Sequence, residues 1–279
     1  MKKIKAKNII LILLAVICVA VLLYSLYQGL VIYIPQKQEQ QRFDELRQIV
    51  SQDSEAKNDS SKPAEAETKS SSVESSSVES SSVESSSVEE KKISAFSELM
   101  KTNADFRGWL KIKDMVIDYP VVKSSDDDPE FYLHRDIDRN YSFSGTPFIG
   151  AVADENSDAF VIYAHNMNNG TMFGTLDYYA DKGWAEQHPY INFDTANENR
   201  LYRVFAAFQT TIGSENEFKY NERAGKLSDE EYKAFVNDIK DASVMYTSDI
   251  PAKKTQIIML STCSYHAENG RFVVAAYRV

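Results

Sequence analysis

Cysteine is nearly absent from this chain: two in 279 residues, at positions 18 and 263. That scarcity excludes a disulfide-stapled scaffold and an all-cysteine metal site. Histidine is scarce as well, with copies at 134, 165, 188 and 266, so imidazole chemistry has few candidates. Basic charge is in deficit, 31 Lys and Arg against 41 Asp and Glu for a net charge of −10. From Ile93 onward the balance is 19 against 28. Nucleic-acid binders present a basic face, so no nucleic-acid partner is expected.

What the chain does have is a long apolar run. Residues 9–34 are uncharged and long enough to cross a hydrocarbon core of about 30 Å. Lys2, Lys3, Lys5 and Lys7 precede the run, and mixed charge follows it. The positive-inside rule then puts residues 1–8 in the cytoplasm and everything after the span outside, on the cell membrane. A cleaved signal peptide fits less well, because Cys18-Val19-Ala20 is a poor cleavage site and the run continues past it. Ile17 is too large to precede a lipoprotein cysteine. Cys18 therefore reads as a lipid-facing or helix-packing residue of a single-pass anchor.

Residues 35–50 are rich in Gln, Glu and Arg, with Phe43, Leu46, Ile49 and Val50 at helical spacing, and predict a juxtamembrane helix. Residues 51–92 differ in kind. They are polar and free of aromatics, and residues 70–89 are four copies of Ser-Ser-Ser-Val-Glu. A period of five suits neither a solenoid nor a heptad, and nothing in it can bury a core. The composition predicts a disordered tether, with a root-mean-square span of roughly 35 Å as a coil.

A folded extracellular domain is expected over residues 93–279. Phe96–Met100 reads as a short helix. Strand-like pieces follow at 108–112, 116–122, 146–151, 159–164, 201–211, 256–260 and 271–279, separated by Gly, Pro, Asn and Asp. Short strands so punctuated suggest an antiparallel barrel or sandwich. Two helical inserts are expected, Met172–Tyr179 with Lys182-Gly183 as its stop, and Ser228–Ala242. The second opens on a capping box, Ser228 with Glu231. The fold class is mostly β with peripheral helices.

Ile257-Ile258-Met259-Leu260-Ser261-Thr262-Cys263 reads as a buried strand that delivers a thiol to its end. Asn269-Gly270 is a turn signal, and Arg271 opens the next apolar run. A hairpin of this kind sets Cys263 beside Arg271. As the one cysteine outside the span, Cys263 has no disulfide partner in its own domain, so it is either buried and inert or kept for its reactivity. A thiol of ordinary pKa, about 8.5, needs an imidazole or cation to act as a nucleophile at neutral pH. His165 ends a strand and opens an Asn/Gly-rich loop, a position typical of site residues. His266, three residues after the cysteine, is its rival; His134 and His188 look exposed. Cys263 with His266 would supply half a zinc site and no second pair exists, so neither a metal nor another cofactor is expected.

These residues resemble the sortases, cysteine transpeptidases of Gram-positive surfaces. The resemblance rests on Leu260-Ser261-Thr262-Cys263, the downstream Arg271 and the upstream Tyr163-Ala164-His165-Asn166-Met167, and covers roughly residues 93–279. Gly108-Trp109-Leu110-Lys111-Ile112, Tyr119-Pro120-Val121-Val122, Met172-Phe173-Gly174 and the helix before the cysteine strand look like class B. The resemblance implies an eight-stranded sortase β-barrel. It implies Cys263 as nucleophile on a threonine carbonyl in the C-terminal sorting signal of a secreted protein. His165 is implied as general acid and base, Arg271 as oxyanion and substrate holder, and Ser261 as a substrate contact. The acceptor amine would come from a peptidoglycan precursor of the lipid II type or, in a pilin polymerase, from a lysine; a cysteine hydrolase would use water. Asp126-Asp127-Asp128-Pro129 reads as a solvated turn, and residues 144–153 depart from the class B pattern.

Overall fold

The computed structural model describes residues 6–55, 95–215, 217–246 and 253–279. Two compact units divide the chain, Met1–Arg42 and Phe43–Val279. The first holds most of helix α1 (Ala6–Glu55), whose described apolar side chains from Leu11 to Ile34 stand exposed. Leu13–Val50 is the one helical stretch, among the described residues, long and apolar enough to cross a membrane. Of the expected tether, residues 51–55 are helical and residues 56–92 lie outside the described residues, as do Ile93 and Ser94 at the start of the expected domain.

The second unit opens on the last turns of α1. Phe43 and Leu46 are buried there, in the same core cluster as Phe96 and Leu99 from helix α2 (residues 95–102). Among the described residues nine strands follow: β1 (Phe106–Lys111), β2 (Asp118–Lys123), β3 (Phe148–Ile149), β4 (Ala159–Tyr163), β5 (Tyr190–Asp194), β6 (Leu201–Thr211), β7 (Ser243–Tyr246), β8 (Ile257–Cys263) and β9 (Gly270–Arg278). Eight of them close into a barrel in the order β5-β1-β2-β3-β4-β8-β9-β6, with β6 returning to β5. Pairs β2–β3 and β4–β8 are parallel and the rest antiparallel. Closure removes the open edges that an eight-stranded sheet would otherwise expose. β7 is the ninth strand, added to β6 beyond the stretch that β5 uses.

Sequence alternation explains the layers. On β8, Ile258 and Leu260 belong to a cluster drawn from all eight barrel strands, whereas Ile257 and Met259 belong to a second cluster. On β9, Phe272, Val274 and Ala276 join the first, and Val273, Ala275 and Tyr277 join the second. The second cluster is the outer face of β4, β8, β9 and β6 covered by helix α4 (Asp229–Ala242). Both faces of β8 and β9 are therefore dry, which is why their sequences are continuously apolar. Helix α4 buries Tyr232, Phe235, Val236 and Ile239, and its N-terminus carries the expected capping box of Ser228 and Glu231. Full burial of a side chain of this kind stabilises by about 1.5–3 kcal/mol.

Three sequence expectations need correcting. The insert read as a helix over Met172–Tyr179 is a 3-10 turn at Leu176–Ala180. Lys182-Gly183, expected to stop it, instead begins helix α3 (Lys182–Gln187), because the Asp181 carboxylate accepts the Trp184 N–H as an N-cap. Strands β5 and β7 fall outside every strand-like piece of the sequence.

Candidate active site

The face of β4, β8 and β9 that α4 covers changes character at its upper end. Along β8 it reads Ile257, Met259, Ser261, Cys263; along β9 from the same level, Tyr277, Ala275, Val273, Arg271. The register pairs Ser261 with Val273 and Cys263 with Arg271. Opposed residues of an antiparallel pair point to the same side, so thiol and guanidinium share one face. β4 adds Val161 and Tyr163 in parallel register, Tyr163 beside Ser261. The chain then leaves the strand and presents His165. A cavity of about 420 Å³ opens at this level, lined among others by Tyr163, His165, Tyr220, Ser261, Cys263 and Arg271.

The end of β8 grips the turn after β4 on both sides of the histidine. Ala164 N–H donates to Ser261 O at 3.2 Å, and the buried Thr262 hydroxyl donates to Ala164 O at 2.8 Å. Asn166 Nδ2 donates to Cys263 O at 2.9 Å. His165 is thus pinned between two neighbours that both answer to the cysteine strand.

The imidazole itself meets the carbonyl of Leu133, 2.9 Å from Nε2. A carbonyl can only accept, so Nε2 carries the proton and Nδ1 keeps its lone pair. Leu133 lies in a 3-10 turn, Phe131–His134, anchored by buried Tyr132. The Tyr132 hydroxyl donates to the Asp105 carboxylate at 2.6 Å and accepts from Asn103. Gly145 closes over this turn at φ +63°, where a Cβ would come within 2.4 Å of Leu133 O, so only glycine fits. Burial holds the His165 pKa below its ordinary 6.5; the Leu133 contact pulls it up, and His134, its ring 5.2 Å away, pushes it down. The net effect favours the neutral imidazole.

Cys263 is exposed. Arg271 donates Nη1 to Gly270 O at 3.0 Å. Its charge also opposes the burial that raises the pKa values of Tyr163 and Tyr220. Ser261 lines the cavity, but its hydroxyl is 2.7 Å from the Tyr220 hydroxyl in a buried contact, so substrate would meet the pair rather than a free serine. His266, the rival base, hydrogen-bonds Ser264 through Nδ1 at 2.9 Å and faces Thr211 through Nε2 at 3.3 Å. It does not line the cavity. His188 stacks on Trp184 at 4.2 Å, outside the cavity lining.

Sequence reasoning missed several contributors. Thr262 and Asn166 stand out in the sequence only as neighbours of the cysteine and histidine; their hydrogen-bonding side chains at strand ends were the available signal. Tyr220 sits in a stretch with no periodic pattern, and nothing there announced it. Pro129 and Glu130 line the cavity and, like Asp126, Asp127 and Asp128 before them, are exposed, so the turn read as solvated also reaches the site. Gly150, Ala151, Val152 and Ala153 form another part of the wall, inside the stretch that departs from the class B pattern.

A family model described as Sortase domain matches residues 110–279. The chain is 34% identical over 185 residues to a Listeria monocytogenes protein named Sortase B, covering 63% of this chain and 71% of that protein. Among solved structures it is similar to a Staphylococcus aureus sortase B–substrate complex, with 28% identity, a TM-score of 0.59, and coverage of 67% and 85%. It is likewise similar to a sortase B complexed with triglycine, with 28% identity, a TM-score of 0.58, and coverage of 67% and 86%.

Proposed function

The chain belongs to the sortase family and is a class B cysteine transpeptidase, and from that premise we propose how its own residues carry the reaction. The carrying observation is the single face that holds Cys263 opposite Arg271, with His165 on the wall of the same cavity. Cys263 Sγ attacks the carbonyl carbon of a threonine in a C-terminal sorting signal, and its proton passes to Nδ1 of His165. Arg271 donates to the oxyanion that forms; fixed donors of this kind act most strongly in a partly desolvated pocket. Collapse breaks the peptide C–N bond, imidazolium returns the proton to the leaving amine, and an acyl thioester remains. An incoming amine gives its proton to the neutral His165, attacks the thioester carbonyl, and expels the thiolate, which takes the proton back. Ser261 with Tyr220 contacts the bound peptide.

The substrates are secreted proteins bearing a sorting signal, and the acceptor is an amine of a peptidoglycan precursor. The solved sortase B complexed with triglycine supports an amine acceptor. The apolar helix, preceded by lysines, supports a single-pass anchor with the N-terminus in the cytoplasm and residues 43–279 outside.

The test incubates a fluorescent sorting-signal peptide with the enzyme and, in parallel arms, with a glycyl amine, a lysine-bearing peptide or water alone. Ligation to the glycyl amine is expected, and none with Cys263→Ala. Preference for lysine would make the enzyme a pilin polymerase, and cleavage without ligation in every arm would make it a hydrolase.

A further inference from the structure

His165 does not stand on a strand. It opens a loop running to Gly174, and the placement of its ring depends on how that loop is closed. Phe173 N–H donates to His165 O at 3.0 Å, and Asn166 pairs with Met172 in an isolated antiparallel bridge. At that bridge Met172 has φ +53°, a left-handed conformation that a side-chain-bearing residue keeps only when its surroundings impose it.

Tyr119 imposes it. The Met172 N–H donates to the Tyr119 hydroxyl at 3.1 Å, in a buried contact. Tyr119 stands on β2, and the side chains that pack its ring come from the last turns of α1. Phe43 meets it edge-on at 5.1 Å, and the Arg47 guanidinium lies 5.0 Å from the ring centroid. Arg47 is itself fixed, Nε donating to Asp118 O at 2.8 Å and Nη1 to the Asp44 carboxylate at 2.6 Å. Every link from Phe43 to Met172 lies within the Phe43–Val279 unit.

We propose that the end of α1 is part of the catalytic apparatus, with Arg47 and Tyr119 as positioning residues that hold the His165 loop closed through Met172. The contacts to β8 hold the start of the loop, at Ala164 and Asn166, beside the cysteine strand. The Tyr119 phenol, its ring packed by Phe43 and Arg47, ties the far end of the loop, at Met172, to β2. The segment lies before the Ser/Glu repeats, so a chain cut at the repeats would keep the whole family-matched region and lose the brace. This inference rests on the acid–base role given above to His165.

The experiment uses the full chain in membranes or detergent. Tyr119→Phe removes one oxygen and keeps the ring, so the packing of Phe43 and Arg47 survives. The expected result is a fall in kcat of about tenfold to a hundredfold, the range that misplacing a reacting group produces, with little change in KM. The pH–rate limb belonging to His165 shifts, while the melting transition stays cooperative. Arg47→Ala shows the same pattern more weakly, adds nothing to Tyr119→Phe, and is largely rescued by Arg47→Lys. Parental kcat and pH profile in Tyr119→Phe would overturn the proposal. So would effects of the two substitutions that multiply independently, or a lower melting temperature with unchanged kcat. His165→Ala in the same assay keeps the questions apart. If it stays active the acid–base assignment fails; if it is dead while Tyr119→Phe is parental, the brace alone fails.

Discussion

The two halves of the site are built by different means. Cys263 and Arg271 are delivered by a ladder: once β8 and β9 pair in register, the thiol and the guanidinium must sit opposite one another. His165 is delivered by a loop, and its position is assembled from single side-chain contacts to Ala164, Cys263, Leu133 and Met172. A ladder spreads its precision over many backbone hydrogen bonds, and no single substitution along it moves the end. A braced loop concentrates the same precision in a few atoms. Substitutions on the ladder side should therefore act through lost chemistry, and those on the loop side through lost placement.

With Cys263 and Arg271 in the roles proposed above, the largest effect expected after loss of the thiol is at Arg271. Arg271→Lys keeps the charge and removes the planar fork. Loss of one oxyanion donor of this type costs about 10²–10³ in turnover, and steady-state kinetics with the ligation assay should read a fall of that order with the melting temperature unchanged. A fall that came instead with a lower melting temperature would mean that the ladder does not hold the strand end as described.

A smaller effect is expected on the loop side. Thr262→Val removes the hydroxyl that donates to buried Ala164 O and leaves that carbonyl without its side-chain partner. The stability cost is about 1–3 kcal/mol, measurable by urea denaturation, and kcat should drop while the reactivity of Cys263 toward a small alkylating probe persists. If Arg271→Lys and Thr262→Val slowed alkylation and ligation alike, the contrast between chemistry and placement would not hold.

Acid sharpens the same comparison. His165 has a folded pKa below its ordinary 6.5 because burial disfavours the cation. Between the two values the unfolded chain binds a proton that the folded chain does not, so stability is complete above the unfolded pKa and declines as pH falls toward the folded one. The urea midpoint should drop over that window, and His165→Asn should flatten the drop. His134→Asn removes the neighbouring ring that also presses the pKa down. The folded value then moves up toward the unfolded one, so the decline should level off at a higher pH and be shallower.

Much of this was legible in the sequence, for physical reasons that differ by element. β8 and β9 could be read because burial on both faces forces unbroken apolar runs, and α4 because its cap and its stripe are both local. The place of Cys263 at a strand end opposite Arg271 could be read because the apolar run stops at the thiol and a turn signal precedes the arginine. β5 escaped because its exposed Tyr190 and half-buried Asn192 and Asp194 leave Ile191 and Phe193 as a pattern too short to separate from a loop. The brace escaped because Tyr119 and Met172 are 53 residues apart and nothing local couples them. Contacts between sequence-distant side chains, unlike strands and caps, leave no periodic trace.

The burial of Phe43 and Leu46 alongside Phe96 and Leu99 has a further consequence for the repeats between them. The described segments on either side of residues 56–94 therefore belong to one folded unit. For a coil of the composition read above, halving or doubling the contour changes closure entropy by only about 0.6 kcal/mol. Removing two of the four Ser-Ser-Ser-Val-Glu units should therefore leave ligation rate and melting temperature almost where they were.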